Sequence, residues 1–173
     1  MKKISMFVFV ALLSVGAANY FMLQSKVANK IQIDERNIGI EVNVHYEWYV
    51  NPNTLVFDIR EVALDKSQMD VSRVLLQSSE ALKNNEFERV ILAHDGNEKF
   101  LLKGDFFKLI GQEYGTQNPM YTLRTFPQNV YNLDGTKAFP TWTGGMLGVL
   151  GKQMEDFSEF NKQWYLNSLV NSN

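Results

Sequence analysis

Few residues of this chain combine a reactive type with a useful spacing. Its only histidines are His45 and His94, and it has no cysteine. Thiol nucleophiles, disulfides, Fe–S clusters and thiolate zinc sites are therefore excluded. His45 shares one side of an alternating run with Glu41, Asn43 and Glu47. Imidazole and carboxylate ligands suit zinc or iron. With no H-x-x-x-H pair beside them, the run reads as a wet strand face, and no metal is expected. His94-Asp95 follows an apolar run and precedes a glycine, a strand end where acid–base residues often collect. The Asp95-Gly96 pair already has a use as a hairpin turn. Asp58 follows Leu55-Val56-Phe57 as an aspartate nucleophile would, but Arg60 replaces the second acid of a D-x-D pattern. An Asp58–Arg60 ion pair is the simpler use.

The glycine-rich stretch from Gly144 to Lys152 invites a phosphate-binding reading. A P-loop needs G-x-x-x-x-G-K-[ST]. Counting back from Gly151 puts Met146 at the first glycine position, and Gln153 follows Lys152. The G-x-G-x-x-G spacing fails as well, so no nucleotide cofactor is expected. Gly144, Gly148 and Gly151 instead fall at i, i+4 and i+7, a small-residue stripe that would let another backbone approach.

One region resists a purely structural account. Gln117-Asn118-Pro119-Met120-Tyr121, Arg124 and the span from Tyr131 to Trp142 form a long, aromatic, weakly patterned segment. Long loops in compact domains are often functional, and Tyr, Trp and Arg anchor interfaces. Gln117, Asn118, Tyr121, Arg124 and Trp142 are therefore the candidate binding residues. They are expected to build a groove or cap if the loop folds against the Thr141–Gly144 start of the last helix.

The positioning elements follow from periodicity. Ile38 to Val50 alternates as a strand, with Ile38, Ile40, Val42, Val44, Tyr46, Trp48 and Val50 on its core face. Asn51-Pro52-Asn53 marks a turn, and Thr54 to Val62 is the partner strand. Ser67 and Asp70 form a capping box for a helix carrying Val71, Val74, Leu75, Ser78, Ala81 and Leu82. Arg89 to Ala93 is apolar enough for a central strand covered on both faces. Glu98 to Leu102 returns beside it. Asp105 caps a short helix with Phe106, Phe107, Leu109 and Ile110 inward. Met120 to Phe126 reads as an edge strand stopped by Pro127. Leu147, Leu150, Met154, Phe157 and Trp164 form the seam of a long amphipathic C-terminal helix. The fold expected is α+β: a mostly antiparallel sheet of about five strands with one β-α-β crossover, packed by two helices and that C-terminal helix.

Lys2 and Lys3 precede an apolar run from Ile4 to Leu23, with small residues at 15–18. Residues 1–23 therefore read as a signal peptide or as an uncleaved N-terminal membrane anchor. Residues 24–37 read as a spacer (or first edge strand), and 38–173 as a single α+β domain. The chain is 45% hydrophobic and 21% charged, which suits a globular domain. Its net charge of -2 offers nucleic acid no basic field.

These features point to an exported envelope protein of non-catalytic, protein-binding type. It would be periplasmic, or anchored in the inner membrane through residues 4–23 and facing the periplasm, with another envelope protein as partner. The alternative is an envelope hydrolase with an acid/base site at His94 and Asp95.

Overall fold

The computed structural model describes residues 13–171. Its sheet has the order β1-β2-β3-β4-β5, with β1 Ile40–Glu47, β2 Asn51–Val62, β3 Arg89–His94, β4 Asn97–Lys103 and β5 Val130–Tyr131. Only β2 and β3 pair in parallel; the other pairs are antiparallel. Among the described residues five helices accompany it. Residues 13–32 form α1, with a π-turn at Tyr20–Gln24. Gln68–Ala81 is α2, Gly104–Glu113 is α3 and Pro119–Thr125 is α4. Met146–Asn161 is α5, which continues through a second π-turn at Lys162–Leu166 into Asn167–Asn171. The architecture is α+β with one β-α-β crossover, β2-α2-β3, as the patterning predicts.

Alternation sorts the sheet into two faces. Leu55, Phe57, Ile59, Val90, Leu92, Phe100 and Leu102 join the helices in the main core, while Val56, Ile91 and Ala93 form a small cluster on the other side. This is why β3 is apolar throughout. The crossover helix starts where the sequence says: Ser67 Oγ accepts from the Asp70 N–H, and the Asp70 carboxylate accepts from the Ser67 N–H. The β3–β4 hairpin turns on Asp95 and Gly96, both with positive φ.

Several expectations are corrected. The β1–β2 turn lies at Trp48 and Tyr49, with φ of 54° and 63°, rather than at Asn51-Pro52-Asn53. Those three residues start β2 as a bulge, since Tyr46 pairs Leu55 while Glu47 pairs Asn51. Trp48 and Val50, expected on the core face, are exposed, as is Ile38. Residues 120–126 belong to helix α4, not to an edge strand. Asn118 caps it by accepting from the Met120 N–H, Pro119 supplies the fixed φ of a first turn, and Leu123 and Phe126 bury at i, i+3. Helix α3 begins at Gly104 with no side-chain cap, and Leu109 is exposed.

Residues 25–32, expected as a spacer or strand, are the second half of α1. Leu23, Val27 and Ile31 line up along one side and enter the main core. Two amides of this helix close the free edge of β1. The Gln24 side chain donates to the Val42 carbonyl and accepts from the Val44 N–H. The Asn19 side chain accepts from the Tyr46 N–H and donates to the Tyr49 carbonyl. Edge strands otherwise present such groups to any passing chain. Lys2, Lys3 and the apolar run up to Leu12 lie outside the described residues. Among the described residues no helix is long and apolar enough to cross a membrane.

The glycine stripe is not a packing surface. A Cβ on Gly145, Gly148 or Gly151 would meet nothing within 4 Å, and Gly144 lies outside the helix at φ 132°. Close approach occurs elsewhere. A Cβ on Gly111 would stand 2.3 Å from the Ser79 carbonyl oxygen, where α3 crosses α2, and one on Gly104 would stand 1.7 Å from that of Phe87. Gly111→Ala is therefore expected to cost about 1–3 kcal/mol through overpacking. Gly148→Ala, in open space within a helix, should gain about 0.5–1 kcal/mol. Urea unfolding of the two variants would show the opposite signs.

The capping box adds a pH test. Hydrogen bonds from Ser67 hold the Asp70 carboxyl at about 2, below its ordinary 3.8. A carboxylate depressed in the fold adds stability above its unfolded pKa, and that stability is lost as pH falls through the folded value. Asp70→Asn should cost about 1 kcal/mol at neutral pH and remove the part of the acid loss that falls between pH 3.8 and about 2.

Candidate functional site

The candidate catalytic pair separates. His94 ends β3 on the core face, is 2% exposed, and lies 6.4 Å from the Tyr165 ring. Its Nε2 and the Tyr165 hydroxyl are both buried without a hydrogen-bond partner. Burial pushes the His94 pKa down against the pull of Asp95 and Asp58, and pushes the Tyr165 hydroxyl up. Asp95 occupies the left-handed turn that follows and is exposed. His94 faces the core, whereas Asp95 has left the strand and stands in the exposed turn. His45 stacks on Tyr49 at 4.3 Å, with Nδ1 2.8 Å from the Tyr46 carbonyl oxygen, so it supports the hairpin. Asp58 pairs with Arg60 at 2.7 Å and also accepts from the Gly96 N–H, tying β2 to the next hairpin.

Of the five candidate binding residues, three converge. Asn118, Tyr121 and Arg124 line a cleft of about 350 Å³ between α4 and α5, together with Met120, Leu150 and Met154. Helix α4 presents Tyr121 and Arg124 one turn apart, and the Arg124 guanidinium carbon lies 4.8 Å from the Tyr121 ring centre. The Arg124 Nε is buried without a hydrogen-bond partner. Among the described residues no carboxylate pairs with this guanidinium. Asn118 spends its side-chain oxygen on the α4 cap, and Gln117 is exposed beside it.

Trp142 lies apart from this cleft. It lines a cavity of about 280 Å³ with Thr143, Gly145, Gly148, Val149 and Lys152. Its indole N–H donates to Asp156 at 2.6 Å, and Lys152 Nζ sits 4.7 Å over its ring. Gly148 and Lys152 stand about 160° around α5 from Leu150 and Met154 at 3.6 residues per turn. The helix therefore separates Trp142 from the other candidates, and a single groove is not formed. Met120, Leu150 and Met154 were not among the candidate binding residues. Leu150 and Met154 follow a core seam, but Met154 only edges onto the core and Leu150 remains exposed. The Asn118-Pro119 cap-and-first-turn pair was the signal for α4.

A cavity of about 370 Å³ between α1 and β1 competes for attention. Three of its polar side chains are already used, while Gln32 and Glu41 stand exposed at its rim. Gln24 bonds β1; Asp34 accepts from Arg36 and Gln77; Asn37 bonds Gln77 and the Ile31 carbonyl. The Arg36 guanidinium holds the Asp34 carboxyl well below the usual carboxylate range. Such a satisfied network braces α1 against α2 and leaves little for a ligand, whereas Arg124 still has donors to offer. Among the described residues no group of three or more His, Asp or Glu could hold a metal ion.

No protein-family model, curated protein or solved structure matches the chain.

His94 supplies a test of its own enclosure. A base whose folded pKa is depressed adds stability above its unfolded pKa, near 6.5, and loses it as pH falls toward the folded value. Wild-type unfolding free energy should therefore decline as pH drops below 6.5. In His94→Leu that slope should flatten, whatever the variant's stability at neutral pH.

Proposed function

We propose that this protein acts by non-catalytic binding to another protein of the cell envelope, through the cleft between α4 and α5. The observation that carries the reading is Arg124. Its guanidinium rests on Tyr121, its Nε is sheltered without a partner, and apolar Met120, Leu150 and Met154 surround it. A planar cation held over an aromatic ring among flexible thioethers suits a carboxylate with an apolar neighbour, because the fork of N–H donors matches carboxylate geometry. Methionines adapt to irregular partners. The preferred ligand is thus an extended or helical segment bearing Asp or Glu beside an aliphatic or aromatic residue. Export is supported by the Lys2-Lys3 and Ile4–Leu23 pattern. The alternative, a hydrolase using His94 and Asp95, is the less favoured reading here, because His94 is enclosed and Asp95 is exposed in the turn after it.

Selection of a random peptide library against the full chain tests this. Recovered peptides should be enriched in Asp or Glu next to apolar residues. Arg124→Glu should weaken them about 10-fold or more, as loss of a charge-assisted contact implies, while Trp142→Ala leaves them unchanged. Enrichment without acidic residues, or indifference to Arg124→Glu, would refute the reading.

A further inference from the structure

Three cations line up across the β3–β5 side of the sheet, on the face away from the main core. The strand register puts them there. Arg89 of β3 lies directly opposite Lys103 of β4. Leu101, which joins the small cluster on that face, pairs with Tyr131 of β5. Lys103 is two residues on from Leu101, so it is the diagonal neighbour of the Tyr131 ring. Tyr131 in turn bridges to Lys137 on the segment that returns beside β5. The turn between them is held by the Asp134 carboxylate, which accepts from the Thr136 N–H and hydroxyl. As a result Lys137 Nζ stands 4.4 Å and Lys103 Nζ 5.5 Å from the Tyr131 ring centre.

Like charges directly opposite on neighbouring strands are destabilising, so such a row calls for compensation. Arg89 has it, in Glu47 at 3.1 Å. The lysines do not. Among the described residues neither Lys103 nor Lys137 pairs with a carboxylate. Lys137 donates to the Gln128 carbonyl, an uncharged partner. The imbalance shows at the phenol between them. Hydrogen bonding to Lys137, joined by the charges of Lys137 and Lys103, pushes the Tyr131 pKa below its ordinary value. A spot that favours phenolate also favours other anions. Beside it lies a cavity of about 160 Å³ walled by Arg89, Leu101, Lys103, Tyr131 and Gly135, with Glu88 the acid on its wall. Glu88 already accepts from the Asn53 side chain. Arg89, Lys103 and Lys137 are exposed and open to a ligand from solution.

We propose that Lys103, Tyr131 and Lys137 form a binding site for a phosphate oxyanion, free or carried on an ester. Ammonium groups act on phosphate as point charges, whereas the planar fork of an arginine such as Arg124 suits a carboxylate. The two lysines meet separate oxygens, the Tyr131 hydroxyl donates to a third, and the bound anion supplies the charge the row lacks. The site lies on β4, β5 and the turn after it, so it stands or falls independently of the α4–α5 cleft.

Acylation of the full chain with acetic anhydride, followed lysine by lysine by mass spectrometry, tests it. At ionic strength held constant with sodium chloride, about 10 mM inorganic phosphate should slow modification of Lys103 and Lys137 about threefold or more, as a millimolar dissociation constant implies. Lys99, on the same strand, should react at an unchanged rate. In Lys103→Gln the protection of Lys137 should be lost. A second arm replaces phosphate with phosphatidylglycerol vesicles. Protection by soluble phosphate assigns the site to a free oxyanion, and protection by vesicles alone assigns it to a lipid headgroup. Unchanged rates in both arms would overturn the proposal, as would equal slowing at Lys99 or protection of Lys137 that survives Lys103→Gln.

Discussion

The indole of Trp164 fixes more of this structure than any other side chain. It is fully buried, donates its N–H to the Ala93 carbonyl at 3.1 Å, and packs on Phe57 of β2. Its other side meets Phe160 at 5.2 Å, which in turn meets Phe100, Phe126 and Phe139. One stack of rings thus joins the central strands, the segment after α4 and the long loop before α5. Aromatic side chains bury large areas and interlock at fixed angles. The π-turn at Lys162–Leu166 helps here, because one extra residue per turn brings Trp164 and Tyr165 inward together.

The α4–α5 cleft is a consequence of that anchor. Phe126 and Phe160 bring the two helices together at their buried ends. The first turns of α5 then run past the core with Leu150 and several glycines exposed. A space opens between α4 and this outlying part of α5, and Arg124 and Tyr121 line it. The cleft therefore combines a rigid base with a lighter wall, a distribution suited to binding surfaces that must adapt. At the other end of the molecule, α1 closes the β1 edge with two side-chain amides and leaves its apolar flank uncovered. The same helix shields the β1 edge from pairing with another chain.

Sequence patterning was most legible where local chemistry has one outcome. The Ser67–Asp70 box, the Asp95-Gly96 hairpin and the apolar β3 each read correctly, since caps, left-handed turns and doubly covered strands leave strong signals. Failures occurred where partners distant in sequence decide. Trp48 and Val50 continue an alternating pattern, so periodicity extends the strand through a turn that Asn19 helps to hold from outside it. Gly148 and Gly111 look alike in sequence, yet only Gly111 faces a backbone across a helix crossing. Residues 120–126 contain enough β-formers to suggest a strand, and the cap and the burial of Leu123 and Phe126 overrule them.

By itself, the sequence determined the α+β class, the crossover, the absence of thiol chemistry and the pool of aromatic and cationic residues from which a binding site could be drawn. Periodicity, caps and composition depend on neighbours along the chain, so they survive without coordinates. Tertiary structure alone decided that Arg124 and Tyr121 share a cleft while Trp142 stands across α5, and that His94 is sealed beneath Tyr165. Each of these is set by which helix face meets the core, a choice made by the aromatic stack around Trp164.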